Sequence, residues 1–418
     1  MTQLAETANE AWVEQVRSAE QLCLSRANRA ALLFFLGLGV MSCVSEAMLG
    51  RMSHLWVSLQ VNFLFWFGIA AASSCFPAVF FLSGARWQRP VERIFQAALP
   101  FFVLLSLFIV VLYFGRAHLF SWVEHPAAGK EYWLLPELVY LRDFFGAVFL
   151  CVIAWRVIAQ TLSIELEQLR SRSETAANSG ALQKILFQSL GGAGAADYSG
   201  AMDRKSRYAP AAVIAYAVIM SLIAFDQLMS VDAHWYSALF GVFYFMSAVY
   251  GALGAVCVLA VLFAQDNSFF RGALSPAVLH DLGKLVFGFG IFWAYLAWSH
   301  YLPIWYGNIP EETAWVIVRL REEPWHFVGW FVLGSGFIVP FFAGLSREVK
   351  RVPVLMLILG TIVLTALNLM HYLLFAPSIY PDRLPFNAAD LGIALGFFAA
   401  YVLSAEWFLR RVPLAPLA

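Results

Sequence analysis

The sequence predicts an all-α integral membrane protein with about ten transmembrane helices, and three observations carry that prediction. Of the 418 residues, 61% are hydrophobic and only 13% charged, with a mean hydropathy of +0.71. Soluble domains average roughly 45–50% apolar and about 25% charged residues, so this balance points to lipid as the solvent. The apolar residues also fall into ten separate stretches, each near the ~20 residues that a helix needs to cross the hydrocarbon layer. Finally, Lys and Arg are distributed unequally between alternate connecting loops.

In chain order, residues 1–30 form a polar N-terminal tail of mixed charge with no adjacent apolar core or cleavage site, so the first helix is expected to be an uncleaved span. The ten spans are expected at about 31–50, 55–83, 96–114, 136–162, 209–230, 237–264, 283–306, 325–346, 352–375 and 388–409. The second and sixth are long enough to tilt. Residues 163–208 form one long polar linker that divides four helices (31–162) from six (209–411), and residues 412–418 form a short tail. Within the linker, Gly191–Ala196 reads GGAGAA. No strand precedes it and no Gly-Lys-Ser/Thr follows, so a flexible linker is expected rather than a phosphate loop. Glu311–Arg321 is expected as a short amphipathic helix on the membrane surface. No pair of broken half-helices is evident.

With the N-terminus in the cytoplasm, nineteen Lys and Arg fall on the inner side and six on the outer, while Arg142 and Arg156 lie within the fourth span. Short cytoplasmic loops are enriched in these residues, so both termini are expected inside. Zero formal net charge argues against a nucleic-acid partner.

Cys23, Cys43, Cys75, Cys151 and Cys257 include no C-x-x-C and no C-x-x-C-H. The chain therefore lacks the usual nests for zinc, iron–sulfur clusters or covalent haem, and no metal site or resident cofactor is expected.

Ionisable groups inside spans are costly and usually mark pathways. In this topology Glu46, Asp226, His300 and His371 fall in the outer parts of odd-numbered spans. Asp143 and Asp390 begin even-numbered spans, and Asp232 and His234 lie in the short outer connection after the fifth. All share one depth, the outer leaflet. Imidazoles and partly buried carboxylates exchange protons, so proton handling is the chemistry they suggest. Haem ligation is the rival, but His300 and His371 sit at one depth, whereas di-haem membrane cytochromes use histidine pairs at two. Asp226 and His300 are expected along one proton path, and Asp143 is expected at the interface as the neighbour of Arg142. At the inner face His280, Asp281 and Lys284 share one side of the seventh helix, and positive anchoring is their simpler role.

Two stretches are distinctive. FDQLMSVDAHWYSALFGVFYF (Phe225–Phe245) and LHDLGKLVFGFGIFWAYLAWSHYLPIWYGNIPEET (Leu279–Thr313) resemble the ActF-type membrane subunit of alternative complex III, a quinol:cytochrome c or electron-acceptor oxidoreductase of the NrfD/PsrC-like superfamily. GARWQRPVERIFQAALP (Gly84–Pro100) and FIVPFFAGLSREVKR (Phe337–Arg351) extend the resemblance loosely from the first span to the ninth. Gln227 and Ala233 stand where the family has Trp and Pro, and His300 where it has Gln.

The resemblance implies two four-helix bundles plus flanking helices and no redox centre in this chain. It also implies a paralogous NrfD-like membrane partner, and iron–sulfur and c-type cytochrome subunits on the outer side. The expected function is a cofactor-free subunit of a quinol-oxidising respiratory complex that borders or binds quinone and conducts protons. A structural scaffold subunit and a ten-helix secondary transporter are the alternatives. Transporters carry their polar groups at broken helices near the midplane, whereas these cluster at one face.

Overall fold

The computed structural model describes residues 23–172 and 198–412 and contains helices but no strand among them. Ten helical segments are long and apolar enough to cross a membrane, as the sequence predicts. They are α1 (Arg26–Met48), α2 (Met52–Ser83), α3 with α4 (Arg89–Gln96 and Leu99–Leu119), α5 (Pro136–Arg172), α6 (Tyr198–Gln227) and α7 (Phe240–Asp266). After the short α8 (Ser268–Ala273) come α9 (Pro276–Gly307), the connecting α10 (Pro310–Leu320), α11 with α12 (Trp325–Leu333 and Val339–Leu345), α13 (Pro353–Phe375) and α14 (Ala388–Leu409).

Local chemistry sets several boundaries. Ser25 caps α1 by accepting from the Asn28 amide, so the first span starts five residues before the apolar run at 31. Ser275 does the same for α9 through Val278, with Pro276 in the first turn, and this draws the seventh span back to 276. The third span is a short polar helix, a two-residue joint at Ala97–Ala98, and then the apolar helix α4. The eighth span carries a π-helical turn at Gly334–Ile338. There the Gly336 carbonyl accepts from Tyr250 Oη of α7 at 3.1 Å. These two interruptions are not legible in the sequence. The first lies near a helix end, and the second leaves both halves of the span on one course.

The linker expected over 163–208 is helical at both edges, because α5 runs to Arg172 and α6 begins at Tyr198. The Gly191–Ala196 run lies outside the described residues, as do most of the N-terminal tail and residues 413–418. The helix expected at Glu311–Arg321 is α10.

Helix contacts sort the spans into two four-helix bundles and a flanking pair. In the first bundle α2, α4, α5 and α6 pack in a ring; in the second, α7, α9, α11–α12 and α13 do. α2 joins the two by packing on α7 and α13. Of the most apolar part of α2, 94% is buried, which is why this helix is apolar on every side instead of carrying a single greasy stripe.

The flanking pair is α1 with α14. Inside lipid, helices associate by close packing rather than by escape from water, so small residues at a crossing allow the backbones to approach. A Cβ built on Gly39 would come within 2.8 Å of Gly396 Cα, and Ser42 packs into the space at Gly392.

Polar contacts tie the ends of this pair to the rest. Glu406 of α14 pairs with Arg29 of α1 at 2.5 Å and accepts from the Leu24 amide. Asp266 at the end of α7 accepts from the Ser25 amide and the Asn28 side chain. The start of the first span and the end of the last therefore lie together. Glu46, Asp143, Asp226, Asp232 and Asp390 lie at the opposite end of the spans.

Candidate functional site

Two buried polar clusters occupy that acidic end, and α2 reaches both. The first joins α1, α2, α13 and α14. A tight turn at Gly50, with φ +71°, folds α2 back against α1 and brings His54 beside Glu46. His54 lies between two carboxylates, with Nδ1 2.9 Å from Glu46 Oε2 and Nε2 3.2 Å from Asp390 Oδ2; Nε2 is also 2.5 Å from the Pro385 carbonyl. Arg51 approaches Glu46 at 3.7 Å, and the Asn387 side chain donates to it at 3.2 Å.

Asp390 owes its place to a capping box at the start of α14. Asn387 accepts from the Ala389 amide, while Asp390 accepts from the Asn387 amide at 2.8 Å. A carboxylate there also faces the positive end of the helix dipole.

Deeper along α2, Ser58 donates to Asp390, and Tyr372 Oη of α13 lies 3.3 Å from both Ser58 Oγ and Asp390 Oδ1. Asn62 donates to Tyr372 Oη at 3.4 Å, and Asn368 donates to Asn62 Oδ1 at 3.3 Å. The sequence of groups from His54 to Asn368 is a hydrogen-bonded file through apolar surroundings. His54, Asp390, Ser58 and Tyr372 can each take up and give up a proton, whereas the Asn62 and Asn368 amides only hold the inner end by hydrogen bonds.

The second cluster belongs to the first bundle. Asp226 is wholly buried and holds the Arg142 guanidinium at 2.7 Å and the Trp133 indole N–H at 2.9 Å. The guanidinium also lies 4.0 Å over the Trp133 ring. The Asp143 carboxyl lies beside that of Asp226. It is 1% exposed and accepts from Gln227 Nε2 at 2.7 Å, and Gln227 in turn accepts from Gln60 of α2 at 3.1 Å. The interfacial place expected for Asp143 is thereby corrected: Arg142 and Asp143 both reach α6, Arg142 from the partly exposed side and Asp143 from within the core. Lys130 fixes the covering loop to the Ala233 carbonyl at 2.6 Å.

His300, His371 and His234 are set apart from these clusters. His300 Nδ1 meets Ser237 Oγ at 3.1 Å, with Phe240 and Phe243 edge-on to its ring. No direct contact joins it to Asp226 among the described residues, because α7 packs between α6 and α9; the expected single path through both is not formed. His371 donates from Nδ1 to the Leu367 carbonyl at 2.7 Å and lies between Phe65 and Tyr244, with its Nε2 unpartnered. Asp232 accepts from the His234 amide at 3.3 Å, and the His234 side chain is exposed. Toward the opposite end, Asp281 and Lys284 form an exposed i,i+3 ion pair at 2.6 Å beside His280, the geometry of a solvated anchor.

Two residues escaped the sequence reading. His54 precedes the apolar run at 55 and reads as loop; only the return of α2 onto α1 brings it to Glu46. Arg319 of α10 counts as a surface cation in the sequence, yet it is 3% exposed. It donates to the Leu374 carbonyl and Ser378 Oγ at 2.9 Å each, beneath Trp315, which stacks on Trp235 at 4.0 Å. Burial lowers its pKa from the ordinary arginine range, and Asp232 opposes that.

All five cysteines are free thiols, and among the described residues no three His, Cys, Asp or Glu side chains converge to hold a metal ion. No protein-family model matches this chain, and no curated protein matches it in sequence.

Proposed function

We propose that this chain is a cofactor-free membrane subunit of a quinol-oxidising respiratory complex of the alternative-complex-III type. It sits in a bacterial cytoplasmic membrane with both termini inside and the acidic end outside. It works beside a paralogous NrfD-like subunit, in a complex whose quinol electrons pass directly to outer iron–sulfur and c-type cytochrome subunits. Its own part is to border the quinone and carry protons.

The observation that supports this most is the file His54–Asp390–Ser58–Tyr372–Asn62–Asn368, which runs from an exposed rim into the membrane interior. Quinol oxidation releases two protons with each pair of electrons. A membrane subunit serving that reaction needs fixed groups that accept protons where water is scarce, and ionisable residues at such depth are retained for use. The motifs at Phe225–Phe245 and Leu279–Thr313 supply the family resemblance.

One contact favours the scaffold reading for part of the site. Asp226 pairs with Arg142 and accepts from Trp133, a buried structural link between two spans.

The test is purification of the tagged chain from its native membrane with subunit identification, followed by quinol-dependent turnover of Asp390→Asn and Asp226→Asn complexes. The expected result is co-purification with iron–sulfur and cytochrome proteins, with Asp390→Asn assembled but slow. Purification without redox partners rejects the respiratory reading. Full turnover by both assembled variants leaves the scaffold.

A further inference from the structure

At the acidic end, in front of His54, a cleft of about 690 Å³ opens to the surface. Its walls are the α1–α2 turn with the first turn of α2 (Arg51, Ser53), the end of α4 (His118), and the segment preceding α14 (Arg383, Asn387). The ends of several spans meet there, so the cleft lies at the level of lipid headgroups rather than of acyl chains.

The polar content of its walls is mostly donors. Arg51 is more than half exposed, and its one ion pair, to Glu46, is long at 3.7 Å. Arg383 is exposed and rests 5.0 Å over the Tyr380 ring, a contact that leaves its N–H edges free for an anion. Ser53 and His118 face each other at 3.4 Å. No side chain caps the first turn of α2, which adds backbone N–H groups to the same wall. Of the nearby carboxylates, Asp382 is exposed beside Arg383 and does not line the cleft, and two others are engaged from behind. Glu46 and Asp390 lie behind His54 and are 2% and 6% exposed, engaged with His54, Asn387 and Ser58. Met52, Leu384 and Phe386 give the rim partly exposed apolar surface suited to glycerol and acyl carbons.

We infer that this cleft is a binding site for a phosphate group, carried by the headgroup of an anionic phospholipid. Arg51 and Arg383 grip the phosphate from two sides, Ser53 and Asn387 complete its hydrogen bonds, and the apolar rim receives the start of the acyl chains. Bound lipid bridges the α1–α2 turn to the 379–387 segment and so steadies the flanking pair. The site does not depend on the respiratory reading, because its elements are a cleft, two cations and their depth.

The test counts lipids on the detergent-purified chain by native mass spectrometry during titration with phosphatidylglycerol, with phosphatidylcholine and inorganic phosphate as further probes. Wild type should bind one phosphatidylglycerol more tightly than any other copy, and the Arg51→Ala/Arg383→Ala variant should bind it roughly thirtyfold more weakly. Arg410→Ala/Arg411→Ala removes the same charge from the opposite end and should leave that affinity unchanged. Competition by inorganic phosphate supports the site with free phosphate as a second source. Failure of phosphate to compete supports it with the lipid as the sole source. Equal affinity of the Arg51/Arg383 variant and wild type, equal loss in the Arg410/Arg411 variant, or equally tight binding of phosphatidylcholine overturns the proposal.

Discussion

Replacing Arg142 by Leu should damage the fold more than replacing its partner Asp226, although Arg142 is the more exposed of the two. The Asp226 side chain is 0% exposed and that of Arg142 25%. Without Arg142 the carboxylate keeps one strong donor, the Trp133 indole, and has no route to water. Leaving one member of a buried pair uncompensated costs about 3–5 kcal/mol. Without Asp226 the guanidinium still has the Trp133 carbonyl and ring and can turn toward the interface, so Asp226→Leu should cost about 1–3 kcal/mol. The double replacement removes both charges and leaves two apolar side chains between α5 and α6, so it should cost only ~1–2 kcal/mol. The cycle then gives a coupling of about 4–5 kcal/mol, well above the ~0.5 kcal/mol expected of independent sites. SDS-driven unfolding in mixed micelles, followed by circular dichroism, measures all four proteins. Additive effects, or an Arg142→Leu variant no worse than Asp226→Leu, would refute the assignment of this pair as the buried link between spans four and five.

Other outcomes follow from the same structure. Gly396→Leu places a side chain against Gly39 Cα and should loosen α1 from α14 at a cost of about 1–3 kcal/mol or more, detected as faster proteolysis of α1 in micelles; unchanged protection would show that the crossing has slack. Reporters fused after Arg271 and Arg351 should read as cytoplasmic and those near Lys130, Asp232 and Glu311 as external, and a reversed pattern would put the acidic end on the inner side. Trp315→Ala strips the stack with Trp235 from the buried Arg319 and should lower the thermal midpoint in detergent, whereas Trp298→Ala, at a largely exposed position on α9, should leave it nearly unchanged. The chain expressed alone should show no Soret band, since none of its cysteines lies in a haem-attachment motif; a Soret band would return His300 and His371 to consideration as ligands.

Crossing a membrane is a requirement on each helix separately, and so it was legible in the sequence. A stretch of about twenty apolar residues must satisfy its own backbone hydrogen bonds whatever its neighbours do. Composition and run length therefore gave all ten spans, and the distance between runs gave α10. The depth of the acidic residues was legible for the same reason, since position along a span sets depth. Partnership was not, because it depends on which helices lie side by side and on which face each residue points. Asp226 and His300 share a depth yet sit on opposite sides of α7, while Arg142 reaches Asp226 on the next helix. Glu46, His54 and Asp390 come from the first, second and tenth spans, 336 positions apart between His54 and Asp390, and only the packing of α1 and α14 against α2 makes them one cluster. Sequence alone fixes which residues must be in the membrane; the tertiary contacts decide which of them meet, because pairing depends on direction in space and apolar run length carries none.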